Sequence, residues 1–226
     1  MAPGRLGPTQ SGVSFLKTEA RLSGWIPVSG ATFRVTGEIG KAFLPQSDVL
    51  PLEDRYRLGG TGSMRGFRRD VIGPRREVNQ VSIDWPGSLD PVLSESVRDT
   101  PTRWVPVGGD SRALGTVELV MPLPLLGMSG WDGYAASIFT DVGNVWLLRG
   151  AEDVQSTGGA LADGWNPALR VATGVGLSIE TPVGPLGLDL AANLQSLTAT
   201  GARRTLLRDV LEEPPIRVHL SLGSLR

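Results

Sequence analysis

Cysteine is absent from the 226 residues, and histidine occurs once, as His219. Without cysteine there are no disulfides, no thiolate zinc sites and no thiol nucleophile. A single histidine also removes nearly all imidazole-based metal and triad constellations. An excess of charge of one sign is missing too. Lys and Arg number 22 against 23 Asp and Glu, so bulk electrostatics point to neither nucleic acid nor an acidic substrate. No apolar run approaches the ~18 residues of a transmembrane helix. The opening Met-Ala-Pro-Gly-Arg-Leu-Gly-Pro lacks the apolar centre of a signal peptide. These absences leave a membrane barrel open, because its strands need only about 9–11 alternating residues and give a weak hydropathy signal.

Glycine and proline are plentiful, at 30 and 17 residues, well above the usage of helical proteins. Residues 1–12 read as a disordered N-terminal segment. From residue 13 onward, period two dominates. Alternation runs through 13–26, 31–43, 112–121, 133–146, 168–180, 186–195 and 216–225, and helical spacing fits these stretches badly. The clearest is 168–180, where Leu169, Val171, Thr173, Val175, Leu177 and Ile179 oppose Arg170, Ala172, Gly174, Gly176, Ser178 and Glu180. Gly174 and Gly176 are therefore small inward residues of a strand; no helix follows them to make a nucleotide loop.

The links between these seven strands alternate in length. Those at 27–30, 122–132 and 181–185 are short, whereas 44–111, 147–167 and 196–214 are long. Short links on one side and long links on the other are the pattern of a transmembrane barrel. A soluble sandwich has no reason for that parity. The expected fold is thus all-β, an antiparallel transmembrane β-barrel segment.

The stretch Leu58–Pro74, L-G-G-T-G-S-M-R-G-F-R-R-D-V-I-G-P, is neither strand nor helix. Met64, Phe67, Val71 and Ile72 give it something to pack, and its glycines permit tight turns. Arg65 is the one charge at its centre, and a guanidinium held in a packed loop needs an acidic partner. Asp141 lies on the inward phase with Ser137. Glu118, Glu180 and Asp189 are also on inward phases. Arg68, Arg69, Arg75 and Arg76 read as a charged loop, with an anionic-ligand patch as the alternative. His219 reads as an inward polar residue, and Trp25, Trp131 and Trp146 lie near strand ends, where aromatic girdles mark a membrane boundary.

The order of the blocks carries a resemblance. The R-G-F loop is followed by F-T-D-V-G-N-V-W, then G-V-G-L-S-I-E-T-P-V-G-P-L-G-L-D-L, then a last strand ending L-S-L-G. Over about residues 14–226 this resembles the C-terminal half of the bacterial surface-antigen barrels, outer-membrane assembly factors of the BamA and TamA type. The resemblance implies that residues 13–226 are the C-terminal part of such a barrel, about seven strands of sixteen. It implies a lumen loop motif of Arg65, Gly66 and Phe67, with the Arg paired to an acid on the inner wall, for which Asp141 is the best match and Glu118, Glu180 and Asp189 are second choices. It implies insertion or translocation of β-barrel proteins in the outer membrane, with unfolded outer-membrane or secreted clients, the lipid bilayer and other assembly-machine subunits as partners. It calls for no cofactor and no catalytic residue. A two-partner-secretion translocation pore is the alternative. Because seven strands cannot close alone and open edges are not viable in lipid, the chain is expected to be part of a longer protein or a degenerate copy.

Overall fold

The computed structural model describes residues 14–45, 50–79, 102–126, 133–148, 161–162, 169–200 and 214–222. The expected disordered segment 1–12, Trp131 and the end of the last strand beyond Leu222 lie outside them. Among the described residues ten strands follow one another: β1 Leu16–Val28, β2 Ala31–Phe43, β3 Arg75–Asn79, β4 Thr102–Pro106, β5 Ser111–Pro122, β6 Tyr134–Trp146, β7 Leu161–Ala162, β8 Arg170–Ile179, β9 Leu186–Asn193 and β10 Ile216–Leu222. A 3₁₀ turn at Leu123–Leu126 and a short helix, α1, at Leu194–Thr198 are also among the described residues.

Seven strands form one antiparallel meander in the order β1-β2-β5-β6-β8-β9-β10, and the sheet is not closed. Every neighbour is antiparallel. The β1–β2 link shows why a short connection suffices. Ser29 and Gly30 have φ of 48° and 85°, the double left-handed geometry of a two-residue hairpin turn, whose twist matches that of the strands. At the β8–β9 link the Gly184 N–H donates to the Thr181 carbonyl.

Two features depart from the alternation pattern. A separate three-stranded sheet, β4-β3-β7, lies within the stretches expected to be plain connections, 44–111 and 147–167. Its strands hold two to five residues, too few for a period to stand out. The sixth alternating stretch, expected over 186–195, ends at Asn193. There the Asn193 carboxamide caps α1 by accepting from the Ser196 N–H at 3.2 Å, a competition that Asn wins at helix starts.

The two faces of the large sheet have opposite characters. One presents Leu22, Ile39, Val117, Ile138, Val175, Leu188, Val218 and Leu220, all exposed. In water such a contiguous aliphatic band is an aggregation surface; against acyl chains it is the barrel exterior. The other, inner face holds the polar phase, and the core lies on this side. Leu58, Met64, Phe67 and Ile72 from the 58–74 loop pack with Leu114, Val145 and Ala172 of the sheet and with Tyr56. Trp25 departs from the girdle reading: it is on the inward phase and lines a cavity with Arg21, Ser23 and Arg34. Trp146 ends β6 on the outward phase, alternating with buried Val145.

Candidate functional site

The 58–74 loop folds on itself before it touches the wall. Ser63 closes its tip. Its hydroxyl accepts from the Gly59 N–H at 2.8 Å and donates to the Gly59 carbonyl at 3.0 Å. The Ile72 N–H donates to the Leu58 carbonyl at 3.0 Å, pairing the two ends. Met64 and Phe67 then enter the core on either side of Arg65, both at most 1% exposed.

Arg65 lies between β5, β6 and β9. Its Nε and Nη2 donate to Oδ2 and Oδ1 of Asp141, each at 2.9 Å. Its backbone N–H also donates to Asp141 Oδ2, at 3.0 Å. Asp141, on β6 and fully buried, takes a fourth donor in the Thr116 hydroxyl of β5 at 3.0 Å. Nη1 of Arg65 reaches Glu118 Oε1 at 3.3 Å and lies 3.8 Å from Asp189 Oδ1. Glu118 also pairs with Arg34 of β2. A forked guanidinium with paired carboxylate oxygens gives strong, directional bonds, and every lone pair of Asp141 used here has a donor.

Beneath the guanidinium lies Phe139, whose ring centroid is 3.3 Å from the Arg65 Cζ. The ring lies across Gly174, its partner on β8. A Cβ there would come within 2.6 Å of the Phe139 ring and 2.3 Å of the Leu190 carbonyl oxygen. Gly174 thus makes room for the aromatic platform, and the platform holds the cation by its π face.

Gly66 solves a different problem. Its φ is +83°, and a Cβ would lie 2.9 Å from the Ala172 methyl. Only glycine combines that backbone with that approach. Gly66→Ala is expected to lower unfolding stability by about 2 kcal/mol from the left-handed cost alone, with the Ala172 contact adding to it. The denaturant midpoint of the refolded protein measures this; a midpoint equal to wild type would mean that the loop can leave the wall freely.

Of the acids on the inward phase, Asp141, Glu118 and Asp189 surround Arg65, whereas Glu180 does not. Glu180 lies beyond the end of β8 at the turn, exposed, its N–H bonded to the Gly133 carbonyl. It shares the inward phase with Gly176 but sits four residues further, roughly 13 Å along the strand. The arginines also separate. Arg75 is buried and donates to the Val71 carbonyl at 2.8 Å, while Arg68 and Arg69 border an open cleft with Arg57 and Arg217. Phe139 and His219 contact the motif, and Thr116 contacts its partner Asp141, without having been singled out for it. Their phases place all three inside, but only the depth of the loop decides that Phe139 and His219 touch it.

Residues 5–204 match the model of the Omp85 superfamily domain. The outer membrane protein assembly factor BamA of Neisseria meningitidis serogroup B (strain ATCC BAA-335 / MC58) is 24% identical over 177 residues, covering 73% of this chain and 19% of the relative. Among solved structures, the crystal structure of BamA from Haemophilus ducreyi lacking POTRA domains 1-3 superposes with a TM-score of 0.63 at 20% identity, over 93% of this chain and 35% of that one. The chain therefore spans well under half the length of these relatives, and the shared part is the strand-built one.

Proposed function

The chain belongs to the Omp85 superfamily, and from that membership we propose that it forms the C-terminal part of an outer-membrane barrel that assembles or inserts β-barrel proteins in a bacterial outer membrane. The observation that carries the reading is the inverted sheet: an aliphatic exterior, and an interior filled by a loop that an Arg65–Asp141 pair holds. An enzyme cleft would need reactive groups in a concave site; here the buried charges pair with one another and brace a wall. Clients would be unfolded outer-membrane or secreted polypeptides, added strand by strand at a sheet edge. The bilayer and other subunits of an assembly machine are the remaining partners. The assembly-factor description of the Neisseria relative favours this reading over a two-partner-secretion pore.

The experiment reconstitutes the protein carrying this chain into liposomes and adds a urea-denatured outer-membrane protein. Folding of the client is followed by its heat-modifiable gel mobility. A rate well above that of empty liposomes is expected, with the client embedded in the bilayer. A client recovered free in the liposome interior would point to secretion, and a rate equal to empty liposomes would reject both readings.

A further inference from the structure

The loop segment 50–74 touches both outermost strands of the seven-stranded sheet. At its start, the Tyr56 hydroxyl donates to the Thr18 carbonyl of β1 at 2.9 Å. The ring fits only because β2 carries Gly40 opposite it: a Cβ there would lie 2.8 Å from two Tyr56 ring atoms. At its tip, the Gly66 N–H donates to His219 Nε2 of β10 at 2.9 Å. The other ring nitrogen, Nδ1, lies 3.3 Å from the Thr61 hydroxyl. An imidazole that accepts at Nε2 and stays neutral carries its proton on Nδ1, so Thr61 accepts from it. The only histidine of the chain is thus placed as an acceptor for one loop amide and a donor to one loop hydroxyl, and it is buried.

We propose that residues 50–74 act as a transverse strap across the inner wall, with Tyr56 and His219 as its two clasps, and that His219 is the positioning residue that holds β10 to the R-G-F motif. The Arg65 cluster anchors the middle of the strap to β5, β6 and β9. It cannot itself hold β10, because none of its carboxylates is on that strand. Among the described residues β10 has one neighbouring strand in the sheet, β9, and the loop contact adds a restraint from the inner side. Between the two clasps the loop determines how far apart β1 and β10 sit. Gly66 connects them: the residue that needs a left-handed backbone also presents the amide that His219 receives. The strap is independent of which polypeptide the barrel handles.

These 226 residues carry no cysteine of their own to compete with an introduced label. Three variants of the intact detergent-purified protein are compared by amide hydrogen exchange: His219→Phe, which keeps the ring and removes the acceptor, His219→Gln, which restores an acceptor oxygen, and Tyr56→Phe. Exchange at Gly66 and along β10 is expected to rise at least tenfold in His219→Phe and to return towards wild type in His219→Gln. In Tyr56→Phe the rise is expected in β1 and not in β10. Spin labels on Ala20→Cys and Leu220→Cys, both on the outward phase, should report a broader distance distribution in His219→Phe. Equal β10 exchange in wild type and His219→Phe, or equal effects of the Phe and Gln variants, would overturn the clasp. If His219→Phe does not fold, the wild type decides: ¹⁵N shifts of a neutral ring with Nδ1 protonated and Nε2 accepting support it, and a ring protonated at Nε2 overturns it.

Discussion

Arg65→Ala is expected to destabilise the folded barrel by about 3–5 kcal/mol, and Asp141→Ala by clearly less. The asymmetry follows from what each change leaves behind. In the intact cluster two guanidiniums, Arg34 and Arg65, face three carboxylates, Glu118, Asp141 and Asp189. Removing Arg65 leaves one cation against three anions, with Asp141 fully buried and lacking its forked donor. Removing Asp141 leaves Arg65 with Glu118 at 3.3 Å and Asp189 at 3.8 Å, so the residual charge is balanced. The double variant should be less damaged than the sum of the two, because each single change strands the other partner. Arg65→Lys should recover only part of the loss: an ammonium lacks the fork that meets both Asp141 oxygens and the planar face that stacks on Phe139. Urea unfolding of the refolded protein, read by gel mobility, supplies all four values. An Asp141→Ala loss equal to that of Arg65→Ala would show that Glu118 and Asp189 give the guanidinium no support.

The same cluster shows where a sequence stops informing. Period two separates wall faces because lipid and lumen differ in polarity, so Val175 and Gly176 declare their sides by residue type alone. Charge and phase place Asp141, Glu118, Glu180 and Asp189 among the possible partners of Arg65, with Glu19 and Glu38 on the same face. Height along the strand is not written in that pattern. Glu180 and Asp189 have the same phase, and only the register of β8 against β9, with Gly176 opposite Asp189, separates the residue near Arg65 from the one at the turn. The Phe139 platform depends on a neighbour without a side chain, Gly174, one strand away, and the His219 contact depends on how deeply the loop enters. Both are set by three-dimensional packing. The β4-β3-β7 sheet stayed illegible for another reason: its pairings join segments far apart in sequence, each too short to show a period.

Ile138 and Ser137 offer a sharper probe of the exterior, because they are consecutive residues on opposite faces of β6. They lie at nearly the same depth, so burial in the bilayer cannot be confused with position along the strand. Ile138 is 53% exposed on the outward face, between Leu119 of β5 and Val175 of β8. An Arg there must enter hydrocarbon, and Ile138→Arg is expected to cost about 2–4 kcal/mol if this level is near the midplane. Ser137 faces a cavity of about 690 Å³ that Glu118 and Asp189 also line. Ser137→Arg adds a cation to a polar lining that already sets Arg21, Arg34 and Arg65 against these two carboxylates, and its cost should stay below that of Ile138→Arg. The ordering of the two variants is the informative quantity, measured by unfolding in lipid bilayers. Were the outward face washed by water, Ile138→Arg would be a surface substitution of a few tenths of a kcal/mol, while Ser137→Arg would crowd the only packed side and become the worse of the two. A reversal of that order would therefore remove the membrane from the account of this sheet, leaving the Arg65 strap as the interior of some other kind of β structure.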